Sequence, residues 1–547
     1  MKEPGASPLV NGLLAVASIL VTLLFFGILE GVLHLAGLGE PDARGASRLK
    51  YQQVYLPTLV PGVRGDGSAV LRTDDRRLPF QEVLQEKPAN GFRVFVFGGS
   101  AAAGLGHSPN VTFARHLERM LRAAFPDRRV EVMNLGIVAL ASRQVALLAA
   151  EAARDYAPDV LIVYSGNNEF LEPHAKKYAE ARANFLTRAK DLLRETHVFR
   201  LANRALRAEP DVPSLAGHDL SPDDLRLTQA RIIEDVEMTP KEIDAVIDRY
   251  AANLQEIQAV AQGESVPLVL MTVASNWEWR GRADLPDGWM DELLGDEVEE
   301  TLERLSEARL RVNQELADAA PNERYEWLHK RAKIAEAEED WEAARENYRA
   351  SMNEDPHLRR ALDRMGEKVI EVADRGPAIP LDTIAHLAAR ADHGIVGFDE
   401  FYDYVHFTPE GAVLAGAIVF DALRESGVLP EPTDFDTAEY VRNALARIDA
   451  GGSDAFRLDE WAGIGGDPGE PRSRDLWKYD RAIQEMDARL EANPFDLEAL
   501  VYRGNASYFE VDGRDDAEAY YLRALALDPE NEDIRFNLER LRSEARP

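Results

Sequence analysis

Short apolar runs alternate with longer segments whose apolar residues recur every three or four positions through residues 91–165. Arg93–Phe97 (RVFVF), Val130–Leu135 and Val160–Tyr164 are short and rich in Val and Phe, the pattern of strands buried on both faces of a parallel sheet. Between them, Val111, Phe113, Leu117, Met120, Leu121 and Phe125 stand at helical spacing, and Ala139–Tyr156 is an Ala-rich helical segment. A fourth buried strand is predicted at Val266–Val273. A further helix, Ala412–Leu423, is opened by Thr408 as N-cap with Pro409 in the first turn. Strands and helices in this alternation predict an α/β domain with a parallel sheet and right-handed crossovers, residues 91–430.

Outside that domain the pattern changes three times. After a short tail, residues 1–8, Leu9–Leu38 is apolar apart from Asn11, Glu30 and His34. Its uninterrupted part, Gly12–Leu29, rises about 27 Å as a helix, close to the thickness of a bilayer's hydrocarbon core. That predicts an uncleaved transmembrane anchor over 9–38, since a signal peptide has a shorter apolar region. Glu30 and His34 lie one turn apart near its outer end, where a membrane interface or a partner helix is expected to satisfy them. Lys2 on one side and Arg44, Arg48 and Lys50 on the other leave the sidedness open. Residues 39–90, punctuated by Pro41, Pro57, Pro61, Pro79 and Pro88, read as a stalk with a few short strands.

Two helical insertions interrupt the α/β pattern. Residues 172–263 are either a cap over the site or a solvated helical excursion. Residues 277–390 are helical and strongly charged. Within the second, Asp340-Trp-Glu-Ala-Ala344 leads through Tyr348 to Asp355-Pro356, which resembles the second helix of a tetratricopeptide repeat. Near the C-terminus Tyr479 and Ala482 lead to Asn493-Pro494, and Ala517, Tyr521 and Ala524 lead to Asp528-Pro529. The two prolines are 35 positions apart, with Gly513 marking the extra residue. Small Ala lets paired helices approach, aromatics fill the groove between them, and Pro ends each unit. Residues 475–547 are therefore expected to form tetratricopeptide-like repeats with a protein partner. A linker, 431–474, whose Gly451–Arg474 stretch is rich in Gly and Pro, precedes them.

Composition narrows the functions. The 547 residues, 45% of them hydrophobic, suffice for more than one core. With 96 acidic against 63 basic residues the formal net charge is −33, which argues against binding nucleic-acid backbones. There is no Cys, which removes disulfides, thiolate catalysis and Cys-ligated zinc and leaves the compartment undecided.

The chemistry gathers at strand ends. The first three strands finish in Gly98-Gly99-Ser100, Asn134-Leu135-Gly136 and Ser165-Gly166-Asn167-Asn168-Glu169, and parallel strands bring such ends to one edge of the sheet. Ala274-Ser275-Asn276 follows the fourth. Far downstream, Asp403 and His406 are three apart, close enough for the carboxylate to fix the ring's tautomer and leave its other nitrogen as a base. Gly99, Gly104 and Gly106 do not have the dinucleotide-binding spacing.

Taken in order, GGSAAAG, Gly136 after a strand, Gly166-Asn167-Asn168-Glu169 and Asp403-x-x-His406 resemble the four blocks of the SGNH (GDSL-type) hydrolase superfamily. The resemblance implies a flavodoxin-like, three-layer α/β domain that hydrolyses or transfers acyl esters. Carried over residue by residue, it implies Ser100 as nucleophile, His406 as general base and Asp403 as its orienting carboxylate. It implies an oxyanion hole from the N–H groups of Ser100 and Gly136 and the Asn168 side-chain amide. No metal or cofactor is called for. Gly99 stands where the family has Asp in its GDS block, and Glu169 where Asp is usual. The expected protein is a single-pass enzyme of a bacterial inner membrane, its catalytic domain facing outward and acting on an esterified envelope glycan or lipid. The alternative is a catalytically idle domain that displays repeats to assemble a membrane complex.

Overall fold

In the computed structural model, the described residues are 8–36, 54–73, 77–105, 111–182, 196–201, 236–279, 298–449 and most of 486–542, with isolated gaps inside these ranges. They divide into two compact units, residues 1–54 with 174–219, and residues 55–173 with 220–547.

In the first unit, the apolar N-terminal segment is a helix, α1 (Pro8–Leu35, 28 residues). Leu20, Val21, Leu24, Phe25, Ile28 and Val32 on it are exposed. Among the described residues, no helix offers a stretch long and apolar enough to cross a membrane; several side chains of α1 lie outside that description. Glu30 and His34, expected at an interface or a partner helix, meet the protein's own chain. The Glu30 carboxylate accepts the backbone N–H groups of His197 at 2.6 Å and Val198 at 3.0 Å, and it lies 2.7 Å from His197 Nδ1. Thr196 Oγ1 accepts the Phe199 N–H at 3.2 Å, so Glu30 and Thr196 together cap the helical turn that starts at His197. The His34 and His197 rings meet edge to face at 5.2 Å.

The second unit begins with a small antiparallel sheet, β1 (Leu59–Val63), β2 (Ala69–Thr73) and β3 (Glu82–Leu84), in the expected stalk. Then follow β4 (Gly91–Gly98), α2 (Ser100–Ala103), α3 (Phe113–Ala124), β5 (Arg129–Asn134), α4 (Ser142–Asp155), β6 (Val160–Tyr164), the start of α5 (Leu171–Arg182), whose residues from His174 on belong to the first unit, α6 (Pro240–Gly263) and β7 (Leu268–Met271). Four helices, α7 (Val298–Asp318), α8 (Arg324–Ala337), α9 (Trp341–Glu354) and α10 (Asp363–Asp374), lead to β8 (Ile379–Leu381) and α11 (Thr383–Ala388). The unit continues with α12 (Pro409–Glu425), α13 (Thr437–Asp449), α14 (Leu497–Phe509) and α15 (Arg514–Leu527).

Strands β5-β4-β6-β7-β8 form one sheet, every neighbouring pair parallel. Counted from β4, the order is 2-1-3-4-5, that of a flavodoxin-like doubly wound sheet. Because β5 and β6 flank β4, right-handed crossovers place α3 and α4 on opposite faces. α12 and α13 extend the layer of α3, while α6 and α10 extend that of α4. Phe95 and Phe97 on β4 are fully buried between the layers. Arg93, also buried, pairs with Glu131 at 2.7 Å and donates to the carbonyls of Leu84 and Tyr156, tying β3 and the end of α4 to the sheet.

Three expected boundaries move. The expected excursion at 172–263 is split: residues 174–219 belong to the first unit, and α6 is the β6–β7 crossover helix, its Tyr250, Leu254 and Ile257 buried. The second insertion, expected to be wholly helical, contains the fifth strand, β8, so only its first part is an excursion from the sheet. The expected linker at 431–474 includes α13, which packs on α12 and whose Thr437 bonds Asp421 at 2.8 Å. α10 buries Met365, Val369, Val372 and Ala373, while α13 buries Thr437 and Ala444.

The two helix pairs that resemble tetratricopeptide repeats are helical hairpins. In α8–α9, Ala332, Ala344 and Tyr348 are fully buried at the contact, and Asp340 caps α9 by accepting the Ala343 N–H at 3.2 Å. In α14–α15, Ala517, Tyr521 and Ala524 are buried. Gly451–Arg474, Tyr479, Ala482 and Gly513 lie outside the described residues.

Candidate active site

Strand β4 runs straight into α2, so Ser100 is both the first helical residue and the residue after an extended Gly99 (φ −88°, ψ −153°). As a first-turn residue, Ser100 has a backbone N–H with no partner inside its helix. Gly104 ends the helix in the left-handed conformation (φ 76°), its N–H bonded to the Ser100 carbonyl. This strand–turn–helix corner fixes the Ser100 backbone and leaves its Oγ at the carboxyl end of the sheet. Ser100 follows β4 and Asn168 follows β6, the two strands flanking the point where the strand order reverses, where open α/β sheets form their crevice.

Three of the expected residues meet. His406 Nε2 is 2.8 Å from Ser100 Oγ, and His406 Nδ1 is 2.6 Å from Asp403 Oδ2. The other Asp403 oxygen accepts the N–H groups of Val405 at 2.9 Å and His406 at 2.8 Å. The carboxylate thus builds the loop and orients the ring at once. All three side chains are buried. The Tyr402 ring lies nearly parallel to the imidazole at 5.7 Å, and Tyr404 meets it edge-on at 5.9 Å. Burial beside Asp403 pushes the Tyr404 hydroxyl up to about 12. Thr408 caps α12 as expected, accepting the Gly411 N–H at 3.0 Å, and fixes where the loop ends.

Asn168 and Asn167 separate in role. The Asn167 side-chain Oδ1 accepts the Ala361 N–H at 3.0 Å, a structural tie. Asn168 is half-buried and donates one side-chain proton to the Leu140 carbonyl at 2.9 Å, which leaves its amide a second proton. That amide lies against the nucleophile turn: a Cβ at position 99 would come within 2.3 Å of Asn168 Nδ2. Glycine in place of the usual Asp is what lets the amide approach.

Gly136 is placed differently from the expectation. Its N–H donates to Asn134 Oδ1 at 3.0 Å, and a Cβ there would meet the backbone N of Ala103 at 2.5 Å. Gly136 lets β5's end pack on α2, and its N–H is engaged within its own turn. In the same loop Ala139 adopts a positive φ of 65°, two residues before α4's N-cap Ala141.

Glu169, the other position that differs from the motif the chain resembles, ties two loops together. Its carboxylate accepts the Ser142 N–H and hydroxyl at the start of α4, and Asn253 donates to that hydroxyl at 2.9 Å. Burial pushes the Glu169 carboxyl up to about 7 against these hydrogen bonds. Glu400, buried in the approach to the Asp403 loop, is likewise pushed up to about 7 by burial while accepting the Gly397 N–H at 3.0 Å.

Residues that sequence reasoning did not assign complete the frame. Asn276, after β7, donates its backbone N–H to the Tyr404 carbonyl at 3.0 Å and its side chain to the Asp403 carbonyl at 3.1 Å. Its place at a strand's carboxyl end was the available signal. Buried Arg360 donates to the Asn276 carbonyl, and burial lowers its guanidinium to about 10. No sequence spacing announces Arg360 or Tyr402. A separate cavity of about 460 Å3, lined by Arg64, Arg115 and Arg129 among others, contains neither Ser100 nor His406.

No protein-family profile matches the chain, and no curated protein is similar to it in sequence. Among solved structures, an α/β hydrolase, LAE5, from the metagenome of Lake Arreo, Spain, aligns over 63% of this chain and 99% of its own at 12% identity and a TM-score of 0.29. A catalytic mutant of Axe2, an acetylxylan esterase from Geobacillus stearothermophilus, aligns over 62% and 96% at 10% identity and a TM-score of 0.27.

Proposed function

We propose that the chain is a serine acyl hydrolase or O-acyltransferase of the SGNH type. The observation that carries this reading is the continuous Ser100–His406–Asp403 line, with contacts of 2.8 and 2.6 Å. A serine hydroxyl attacks a carbonyl at neutral pH only with an adjacent base. His406 Nε2 takes the Ser100 proton as Oγ bonds the acyl carbon, then returns it to the departing alkoxide. Asp403 holds the proton-bearing Nδ1 and stabilises the imidazolium. The Ser100 N–H and the second amide proton of Asn168 are the proposed donors to the tetrahedral oxyanion. Gly136, with its N–H engaged by Asn134, supports the turn. Water or a sugar hydroxyl then accepts the acyl group, which separates hydrolase from transferase. An esterified cell-envelope glycan or lipid is the proposed substrate class.

The same proposal places α1 in a membrane as a single-pass anchor, with the second unit outside the cytoplasm. The exposed Leu, Ile, Val and Phe side chains of α1 support it, since a helix apolar on all sides needs a lipid or protein environment. The α8–α9 and α14–α15 hairpins are proposed as tetratricopeptide-like modules for a protein partner.

A fluorophosphonate probe tests the central claim on the detergent-solubilised full chain. Labelling is expected in the parent and lost in Ser100→Ala and His406→Ala. Absence of Ser100-dependent labelling would return the protein to the scaffold reading. A reporter fused after Pro547 tests sidedness, and a cytoplasmic signal would overturn the outward orientation.

A further inference from the structure

Tyr402 joins three parts of the chain that are far apart in sequence. Its ring lies 5.7 Å from the His406 imidazole with only 17° between their planes. Its hydroxyl donates to the Leu105 carbonyl, in the turn that ends the nucleophile's helix. Its side chain also belongs to the buried apolar cluster of the C-terminal helices, with Met486, Leu500, Ala517, Tyr521 and Leu538. Among the described residues, Tyr402 is the one member of that cluster from before residue 486. Only 1% of its surface is exposed.

We propose that Tyr402 is a positioning residue for His406 and that the C-terminal helices are the wall that holds it there. The proposal rests on the acyl-transfer reading of Ser100, and it makes the repeats a working part of the site as well as a docking module. The in-plane contacts of His406, to Asp403 and Ser100, fix the ring along one line. They leave tilting about that line to be limited by the rings beside the imidazole, Tyr404 edge-on at 5.9 Å and Tyr402 nearly parallel to it at 5.7 Å. The Tyr402 hydroxyl is tied to the Leu105 carbonyl and its backbone N–H to the His406 carbonyl at 3.0 Å, while its ring packs in the repeat cluster. An aromatic side chain buries roughly 150–250 Å2, and Tyr402, only 1% exposed, shares its buried surroundings with the repeat cluster, which ties its position to those helices.

The test uses the solubilised full chain, with steady-state hydrolysis of an activated acetate ester and the rate of fluorophosphonate labelling at Ser100. Tyr402→Leu is expected to lower kcat about 10- to 100-fold with KM nearly unchanged, the scale on which a misplaced catalytic group costs rate. Tyr402→Phe, which keeps the ring and loses only the bond to Leu105, should stay within about fivefold of the parent. Leu500→Ala, inside the repeat cluster and outside the catalytic machinery, should lower kcat in the same direction as Tyr402→Leu. Parent kcat in both Tyr402→Leu and Leu500→Ala would overturn the proposal, as would a loss confined to KM. If Tyr402→Leu does not fold, Leu500→Ala alone decides: a lowered kcat supports the coupling and parent kcat refutes it. Failure of the parent chain to label at Ser100 strikes the acyl-transfer reading instead, so the two failures are distinguishable.

Discussion

Glu169 holds Ser142 with both carboxylate oxygens, taking its backbone N–H at 2.7 Å and its hydroxyl at 2.9 Å. The pair clamps the loop after β6 to the start of α4. Asn168, next in sequence to Glu169, donates its side-chain amide to the Leu140 carbonyl at 2.9 Å. The carboxyl is buried and pushed up to about 7, so its neutral form is favoured in the folded chain.

The sign of the pH dependence follows. Below the unfolded value of about 4.5 the carboxyl is protonated in both states, and this contribution to stability is fully present. As pH rises towards 7 the unfolded state ionises first, and the contribution is lost through the folded pKa. A rise from 4.5 to about 7 corresponds to roughly 3 kcal/mol for this one group. Denaturant melts of the parent at pH 5 and pH 8 should show the loss. Glu169→Gln should flatten the curve by the share of this site, leaving that of Glu400. An unchanged pH slope in Glu169→Gln would refute the assignment.

Gly99→Asp brings in the residue usual in the GDS motif that the chain resembles and should nevertheless harm this protein. The new Cβ would come within 2.3 Å of Asn168 Nδ2, the tip of a side chain that can move aside. The fold should therefore survive while the amide leaves its place. A loss in kcat of about 100-fold is expected, the cost of one oxyanion donor, with a melting temperature near that of the parent. Parent-like kcat would remove Asn168 from the donor set.

Asp403→Asn should separate the two jobs of that carboxylate. An amide oxygen can still accept the Val405 and His406 N–H groups and keep the loop closed. The amide nitrogen would then face His406 Nδ1 and favour the wrong tautomer. Esterase kcat is expected to fall by about 10,000-fold with little change in melting.

Thr408→Ala should destabilise without touching the reacting atoms. It removes the cap on Gly411 and the bond from the hydroxyl to the Asp399 carbonyl at 2.7 Å. Chemical denaturation should report a loss of about 1–2 kcal/mol. A loss near zero would mean that packing of α12 alone sets the position of the loop.

The α/β core was legible because periodicity reports burial directly. Val160–Tyr164 matches β6 end for end, and the other predicted strands overlap β4, β5 and β7 within three residues at either end. The short strand β8 was missed because Ile379-Pro380-Leu381 is too brief to show a period and contains a proline. The proline is tolerated because β8 is the last strand of the sheet. Ser100, Asp403 and His406 could be named because their chemistry restricts the residue types allowed. Gly136 was assigned by position in a motif, and only coordinates reveal that Asn134 takes its N–H. Tyr402 and Arg360 act through a ring face and a buried carbonyl, and neither leaves a spacing in the sequence.

The sheet's connectivity also sets an order of assembly. β4, β5 and β6 are consecutive, whereas His406 stands 306 positions after the serine it serves. Contacts so far apart in the chain form late, because their loop-closure entropy is met before they are made, and synthesis runs from the N-terminus. A nascent polypeptide therefore carries its nucleophile corner long before it has a base to activate it. On the proposed acyl-transfer reading, Ser100 gains its base only when translation has passed residue 406 and the last crossovers have closed, which keeps the unfinished chain inert.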